Sequence, residues 1–484
     1  MRSEPPSAPS PEPSPAQGDR NYWPASPIRS GGAAAAGTRQ AAVAEDGEAA
    51  AEVEYGWPRP LFALLQRLRP PGPLFTARLW RSPLRGPWLT SVFGVVLLVG
   101  LPVVIVTGLL SYIAYQPQFA GNAFPAQTHG LHLPFFAWPT RPVWLYRLNQ
   151  GLHVAVGLAL VPVVLAKLWS VIPKLFSWPP ARSLAQLVER LSLALLVGSI
   201  LFELATGVLN VEYDYVFGFD FYTAHYYGAW VFIAAFLTHV ALKFPTMRRS
   251  LKARRLRDEL RTPLARTKPE PLDEYGLVAS DPSPPSISRR GLLGVVAGGS
   301  LAVTAVTVGD TVGWRPSALL SARGRSYGTG PTDFQVNRTA AVAGITTTET
   351  GAGWRLTVAG QRTISLSRTD LLAMAQHTVR LPIACVEGWS TEQTWTGVRL
   401  RDLVELAGAD RLDHGIVTSL ERRGAFSRGV LNAGQLRDPD ALLALKVNHA
   451  DLSPDHGYPA RVVVPALPGV HNTKWVSRIE LRQA

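Results

Sequence analysis

Five long runs of apolar residues constrain the fold of this 484-residue chain more than any other feature. The first four are each long enough to cross the hydrocarbon core of a bilayer, which takes roughly 20 residues of helix. We therefore predict a bundle of four membrane helices, followed by a fifth apolar helix. The predicted segments are Trp88–Tyr115, Gly151–Ile172, Leu184–Val211, Ala224–Phe244 and Leu292–Gly309.

Much of the net charge of +13 lies beside these segments. Arg248–Lys268, directly after the fourth segment, holds nine Lys or Arg residues against two acidic ones. Cytoplasmic loops of membrane proteins carry such an excess, so the charge indicates orientation in a membrane, and we expect no nucleic acid partner. The loop between the third and fourth segments has acidic residues but no Lys or Arg. We therefore expect the N-terminus and residues 247–290 in the cytoplasm.

The composition divides the chain into six parts. Residues 1–56 are rich in Pro, Ala, Ser and Glu and have too few apolar residues to form a core, which predicts disorder. The predicted parts are a disordered, cytoplasmic N-terminal region (1–85), a four-helix membrane domain (86–246), a basic cytoplasmic linker (247–287), a signal-anchor helix (288–310), a second linker (311–330) and a C-terminal domain (331–484).

A pair of arginines precedes the fifth segment, in the sequence Ser288-Arg289-Arg290-Gly291-Leu292-Leu293. This sequence resembles the twin-arginine export signal, which a translocase reads when it moves folded proteins. Folded export suits a domain that takes up a large cofactor before it leaves the cytoplasm. No small-x-small cleavage site follows, so we expect the segment to remain as an anchor. Alternatively, the two arginines are the flank of an ordinary stop-transfer segment.

Three histidines lie within the second and fourth segments. Histidine is rare and costly inside a membrane, so its presence predicts a function. His153 and His225 stand near the outer starts of their segments, and His239 follows His225 by 14 residues. That spacing is within about 40° of four helical turns, which places His225 and His239 on one face, roughly 21 Å apart. His153 and His225 lie at the same depth and could hold one iron between them.

The His-x13-His helix resembles the four-helix b-type cytochrome subunits of membrane oxidoreductases. The resemblance implies haem b, with an outer haem on His153 and His225. A second haem on His239 would need a partner, but Lys167 stands where one family geometry has a histidine. We expect one haem and leave the second open. In the alternative reading, each histidine is a polar group bonded to a neighbouring helix.

Other small or polar residues lie at similar depths. Thr107-Gly108 and Thr206-Gly207 supply small residues that let a porphyrin or a helix approach closely. Glu203 is either a proton or quinone contact or a carboxyl turned toward the bundle, and the sequence does not separate these.

From about Pro331 the chain changes to short β-rich runs with Gly and Pro at the turns, which indicates a mixed α+β domain. The only cysteine, Cys385, follows an apolar run at the point where a loop begins. One cysteine cannot form an internal disulfide. A thiolate at the end of a strand is well placed to bind a soft metal inside a pocket.

Two sequence blocks in this region resemble the sulfite-oxidase-fold molybdoenzymes. The first is Cys385-Val386-Glu387-Gly388-Trp389-Ser390 with the following Trp395, and the second runs from Asp455 to Trp475. They look most like the bacterial branch that includes the periplasmic protein-methionine-sulfoxide reductase. The Cys-Gly-Asn-Arg-Arg pattern of the sulfite-oxidising branch is absent, which argues against sulfite as the substrate.

The resemblance also implies roles for particular residues. Cys385 would be the protein ligand to molybdenum. The residues expected to hold the molybdopterin cofactor are His456, Arg461, Asn472, Thr473 and Lys474, with a contact loop at Asn337 and Arg338.

The predicted fold class is multidomain: an all-α transmembrane four-helix haem bundle, a fifth membrane helix and a C-terminal mixed α+β sulfite-oxidase-type molybdopterin domain. The resemblances imply a molybdopterin-dependent oxidoreductase of the bacterial inner membrane, with its C-terminal domain on the extracytoplasmic side. It would transfer oxygen atoms, with reduction of an S-oxide favoured, and exchange electrons with the quinone pool through haem b.

Two alternatives stay open: substrate oxidation coupled to quinone reduction, and a haem electron carrier or sensor without molybdenum. The expected partners are membrane lipids, quinone or quinol, a small-molecule or protein-bound oxidised substrate, and the twin-arginine translocase.

Overall fold

The computed structural model describes residues 80–119, 136–176, 183–211, 218–273, 276–311, 330–422 and 427–483, with a few isolated positions between them. Within these ranges, five helices are long and apolar enough to cross a membrane. The α-helices described before the C-terminal domain are α1 (Pro87–Ala114), α2 (Leu145–Leu175), α3 (Leu184–Val211), α4 (Phe221–Ala253), the short α5 (Leu256–Arg261) and the fifth long helix, α6 (Arg289–Thr311). The segment predicted to be disordered (1–56) and nearly all of the second linker (311–330) lie outside the described residues.

Two of the long helices extend by six residues or more beyond one end of their predicted segments. Helix α2 begins at Leu145 rather than at Gly151, and α4 continues to Ala253 rather than ending at Phe244. The added turns carry polar and charged side chains such as Arg147 and Gln150. Hydropathy marks only the part of a helix suited to lipid, so it misses the turns that continue into the rest of the protein.

The first four long helices pack as a bundle, in which α1 lies against α2 and α4, and α3 lies against α4. The fifth, α6, packs along α2 outside the four. Apolar side chains from all four helices meet in the centre of the bundle. They include Leu101, Leu160, Val164, Ile200, Phe232 and Phe236.

The basic linker is folded against the N-terminal end of α1. The Glu270 carboxylate accepts hydrogen bonds from the backbone N–H groups of Trp88 (2.9 Å) and Leu89 (3.4 Å). These donors have no partner within the helix, and the carboxylate also complements the positive end of the helix dipole. Arg289, at the start of α6, is only 2% exposed and lies 3.3 Å from Glu259. The linker therefore joins the starts of α1 and α6.

The C-terminal domain contains two five-stranded sheets with short helices between strands. One sheet has the order β2-β1-β10-β5-β6; the other has the order β3-β4-β7-β8, with β9 also beside β7. Among the named strands of the described ranges, β1 and β10 pair in parallel and the other pairs are antiparallel. The strands are β1 (Arg355–Ala359), β2 (Thr363–Ser367), β3 (His377–Ala384), β4 (Ser390–Arg399), β5 (Leu412–Ser419), β6 (Arg428–Asn432), β7 (Leu442–Val447), β8 (Ala450–Asp451), β9 (Arg461–Val463) and β10 (Val476–Gln483). The helices are α7 (Ala340–Ala343), α8 (Thr347–Thr350), α9 (Arg368–Ala373), α10 (Leu400–Leu406) and α11 (Ala433–Arg437).

The bundle and the C-terminal domain share a hydrophobic core within one compact unit, Leu64–Ala484. Ile113 at the end of α1 and Tyr146 at the start of α2 belong to the cluster that fills the space between the sheets. The Trp138 indole N–H donates to the Ala466 carbonyl (2.8 Å), and the Gln116 amide donates to the Gln435 side chain (2.9 Å). The domain therefore sits directly on the end of the bundle where α1 ends and α2 begins.

Candidate functional site

The single thiol stands on a tight loop between two paired strands. Strand β3 ends at Ala384, β4 begins at Ser390, and these two residues are partners in the ladder. The Cys385 N–H donates to the Trp389 carbonyl (2.9 Å), which closes the loop. Gly388 has φ +87°, a conformation that favours glycine. Residues 385–389 thus form a tight loop, the thiol loop.

Several residues predicted to hold the cofactor converge on this loop. The Asn337 amide nitrogen lies 4.0 Å from the Cys385 sulfur. The Lys474 ammonium donates to the Asn337 side-chain oxygen (3.5 Å) and to the backbone carbonyls of Arg338 and Asp455. The structure therefore brings together residues that are far apart in sequence.

Burial controls the protonation of the groups at this site. Burial, with Glu387 nearby, raises the pKa of the Cys385 thiol well above its usual range. Burial lowers the pKa of Arg461 to about 10 and that of Lys474 to about 7. Within the described ranges, neither Arg461 nor Lys474 forms an ion pair with a carboxylate. Arg461 is buried and Lys474 is half-buried, and cationic groups without carboxylate partners are suited to binding an anion.

Buried polar atoms without hydrogen-bond partners lie on the same set of residues. Among the described residues, no partner is found for Arg461 Nε, Asn472 Nδ2 or Thr473 Oγ1. Folded proteins rarely leave such atoms unsatisfied, and a polar ligand is a common explanation. These residues therefore fit a large polar cofactor.

His456 and Asn472 also support the loops around the site. The His456 ring stacks on Phe334, with ring centroids 3.6 Å apart, and its Nε2 lies 2.8 Å from the Thr332 carbonyl. Burial lowers the pKa of His456 to about 3, so the ring is neutral and donates to that carbonyl. The Asn472 side-chain oxygen accepts a hydrogen bond from Val464 N–H (2.9 Å), next to β9.

A second site lies inside the bundle, where His153 of α2 and His225 of α4 face each other. Their ring centroids are 6.4 Å apart, and the ring planes are nearly perpendicular. His153 Nδ1 lies 3.0 Å from the Val104 carbonyl, which can only accept a hydrogen bond, so this nitrogen carries the proton. Its Nε2 is then free to act as a ligand. The cavity around the pair measures about 230 Å³.

Each histidine is supported by a Thr-Gly pair on the preceding helix. Thr206 Oγ1 lies 3.0 Å from His225 Nδ1, and Thr107 Oγ1 lies 3.4 Å from His153 Nδ1. A Cβ atom on Gly108 would come within 2.9 Å of the His153 ring, so this close approach requires glycine. The sequence indicated small residues here but gave no sign of the threonine contacts. A Glu203 carboxylate oxygen also lies 3.0 Å from His225 Nδ1.

His239 lies in a separate cavity of similar volume, about 230 Å³, in the other half of the bundle. Lys167 lines the same cavity and donates a hydrogen bond to the Thr90 carbonyl (2.6 Å). His239 is therefore not part of the His153–His225 pair.

The thiol loop forms part of the roof of the His153–His225 cavity. Val386 lines that cavity, and the Gln150 amide donates to the Val386 carbonyl (2.8 Å). A Cβ atom on Gly388 would lie 2.6 Å from Val154, which shows how closely the loop and α2 meet. Tyr115, just after α1, packs in one apolar cluster with Cys385. Sequence reasoning missed Gln150 and Tyr115, because nothing in the sequence indicates that the helix ends contact the thiol loop.

Comparison with known proteins identifies the C-terminal part of the chain. Residues 343–484 match the family described as "Oxidoreductase molybdopterin binding domain". An NADH nitrate reductase of Volvox carteri is 38% identical over 100 residues, which are 18% of this chain and 12% of that protein. The mitochondrial sulfite oxidase of Mus musculus is 28% identical over 148 residues, 25% of this chain and 27% of that protein. This chain thus spans only 12% and 27% of the lengths of these two relatives.

Among solved structures, the sulfane dehydrogenase SoxCD from Paracoccus pantotrophus is similar at 22% identity, over 28% of this chain and 39% of that one. Its TM-score of 0.26 is too low to support any structural argument. The family match and the relatives together confirm the prediction of a sulfite-oxidase-type molybdopterin domain. Residues 343–484 are thus a molybdopterin-binding oxidoreductase domain.

Proposed function

We propose that this chain is a membrane-anchored molybdenum oxidoreductase that reduces an S-oxide-type substrate, with electrons passed from quinol through a haem b in the bundle. The main support is the contact between the two sites: the thiol loop packs on the cavity that contains His153 and His225. Two redox centres that share a wall within one chain need no separate carrier between them.

The C-terminal residues have distinct parts in this proposal. A bound molybdopterin centre supplies oxygen-atom transfer with a two-electron change at the metal. Cys385 would be the protein ligand; because burial raises its pKa, the thiolate needs a metal cation to be stable there. Arg461 offers a forked pair of donors and Lys474 a point charge, which suit the phosphate of the pterin. Asn337 would orient the ligand beside the sulfur.

The His153–His225 pair fits a haem iron. A metal–imidazole bond of about 2 Å, with roughly 1 Å more from nitrogen to ring centre, would put the centres of two imidazoles that share one metal ion about 6 Å apart. The centroid distance of 6.4 Å agrees with that value. A bound haem b supplies one-electron transfer. Val104 and Thr206 would orient the two rings through their Nδ1 atoms, as partners of metal-binding histidines commonly do.

We propose one haem. The cavity around His239 has no second histidine among its described lining residues, so a haem there would need a different second ligand.

The charge pattern supports an orientation with the C-terminal domain outside the cytoplasm. The basic stretch Arg248–Lys268 lies at the end of the bundle remote from the C-terminal domain, which the positive-inside rule places in the cytoplasm. Arg289 and Arg290 would then serve the twin-arginine translocase of a bacterial inner membrane. Since Arg289 is buried in the folded protein, the translocase would have to bind it before the linker packs.

A second candidate reverses the electron flow: the domain oxidises its substrate and the electrons reduce quinone. The names of the sulfite oxidase relatives favour it. Both candidates use the same residues, so they differ in driving force rather than in site geometry.

The direction of electron flow can be tested in a single reaction, without steady-state turnover. Haem in the purified protein is reduced with dithionite, excess reductant is removed, and methionine sulfoxide is added without oxygen. We expect the haem band to return to its oxidised form, and expect no such change in Cys385→Ser. Reduction of oxidised haem by sulfite would favour the second candidate. If neither compound changes the haem spectrum of molybdenum-loaded protein, the proposed link between the sites is wrong.

A further inference from the structure

A third cavity, of about 450 Å³, lies where α2, α6 and the thiol loop meet. The α2 side supplies Trp144, Leu148 and Leu152, and α6 supplies Val308. These apolar side chains are between 40% and 51% exposed, so the cavity opens on surface suited to lipid. Trp144 stands at the start of α2, at the level where tryptophans commonly mark the membrane interface.

The inner end of this cavity reaches the molybdopterin domain. Cys385, Gly388 and Ser390 line it. Ser390 is only 5% exposed, and its hydroxyl has no hydrogen-bond partner among the described residues. A buried, unpaired hydroxyl is unfavourable unless a ligand or water completes it. The cavity therefore has an apolar entrance on the surface suited to lipid and, at its inner end, the Ser390 hydroxyl as a hydrogen-bonding group for a ligand.

We infer that this cavity binds the head group of a lipid-soluble quinol, with a ring oxygen hydrogen-bonded to Ser390. The inference rests on the proposed function, which requires a quinol donor but assigns it no site. The polar groups favour this ligand over an anionic substrate or a phospholipid head. Ser390 and Gln150 are neutral, and the one cation in the lining, Arg147, lies 3.5 Å from the Glu392 carboxylate.

The cavity also lies close to the His153–His225 site, to which electrons from a bound quinol would pass. Gln150 lines both this cavity and the one that contains His153, which follows it by one helical turn. A quinol oxidised here breaks two O–H bonds and becomes a quinone. Its two electrons would pass one at a time to a haem held by His153 and His225, and its two protons would leave to water at the entrance. At the site of Cys385 the same two electrons, with two protons taken up from water, would serve to break the S–O bond of the S-oxide, and the oxygen would leave as water.

Gly151 allows the cavity to be filled without disturbing the helix. It lines the cavity, and a Cβ atom there would meet nothing within 4 Å. We expect Gly151→Leu to block the site while α2 stays intact. Gly298→Leu is the matched control, because Gly298 lies in α6 with equally open space and does not line the cavity.

The probe is decylubiquinone, added to the purified full-length protein in lipid nanodiscs, and binding is followed by quenching of Trp144 emission, with Trp144→Phe as the reference. We expect Gly151→Leu to weaken binding about tenfold or more, which is about 1.4 kcal/mol, and Gly298→Leu to match the wild type. Ser390→Ala should weaken binding less than Gly151→Leu does, and Ser390→Thr, which keeps a hydroxyl, should bind decylubiquinone like the wild type.

The same variants separate this inference from the proposed function. We expect haem reduction by decylubiquinol to fail in Gly151→Leu, while haem reoxidation by methionine sulfoxide continues. Wild-type binding and reduction in Gly151→Leu would overturn the site but leave the proposed function intact. Displacement of decylubiquinone by an apolar sulfoxide would make the cavity a substrate site instead, and would also overturn the inference.

Discussion

The bundle and the C-terminal domain build their sites in different ways. In the bundle, the candidate site consists of two facing histidines, one on α2 and one on α4, and much of the apolar surface of these helices is exposed. In the domain, the site is assembled from Asn337, Cys385 and Lys474, brought together by folded strands and loops. Substitutions on the exposed surface of the helices should therefore leave the histidine pair in place. Substitutions in the core of the domain should disturb the site around Cys385, because its residues are held together by the folded sheets.

The largest expected contrast is in stability. Leu443 in β7 is fully buried, so Leu443→Ala should lower the free energy of unfolding of the domain by about 2–5 kcal/mol. Val99 on α1 is 67% exposed, and Val99→Ala should change stability by less than about 1 kcal/mol. Reaction of the single thiol, Cys385, with a maleimide across a denaturant series measures unfolding in both variants. Equal losses of stability in Leu443→Ala and Val99→Ala would contradict the proposed difference between the domain core and the helix surface.

The stability of the C-terminal domain should depend on pH. Burial lowers the pKa of His471 to about 4. Below about pH 6.5 the unfolded chain binds a proton at this residue that the folded domain does not, so stability falls as the pH drops toward about 4. The full loss from this residue is up to about 3 kcal/mol.

Denaturant titrations of cofactor-free protein at pH 7 and pH 5, followed by tryptophan emission, measure this loss. His471→Gln has no titrating ring and should show a smaller difference between the two pH values. An unchanged pH dependence in that variant would show that His471 is not the cause.

The smallest expected effect tests how the bundle orients its histidines. Thr206→Val removes the hydroxyl 3.0 Å from His225 Nδ1, leaves the Glu203 carboxylate beside the same nitrogen, and should weaken haem affinity by up to about tenfold. Thr107→Val should have less effect, because its hydroxyl is farther from its histidine, 3.4 Å from His153 Nδ1. Haem titration of the apoprotein compares them, with molybdenum content as the control. A loss of molybdenum in either variant would mean that the two sites are not independent.

The sequence predicted the parts of the molecule that depend on local periodicity or on short motifs. Helix α3 was predicted at its observed bounds, and Cys385 was placed at the end of an apolar strand. The start of α2 was missed, because Arg147 and Gln150 are polar and the helix there contacts protein rather than lipid. The seating of the domain on the bundle could not be predicted, since it depends on contacts between residues such as Gln116 and Gln435 that carry no periodic signal.

The most direct test of the central claim is the content of molybdenum and haem per chain in the purified wild type, Cys385→Ser and His225→Ala. We predict one molybdenum and one haem per chain in the wild type, loss of molybdenum alone in Cys385→Ser, and loss of haem alone in His225→Ala. A wild-type protein that contains haem but no molybdenum, even when expressed with a full supply of the cofactor, would contradict the account.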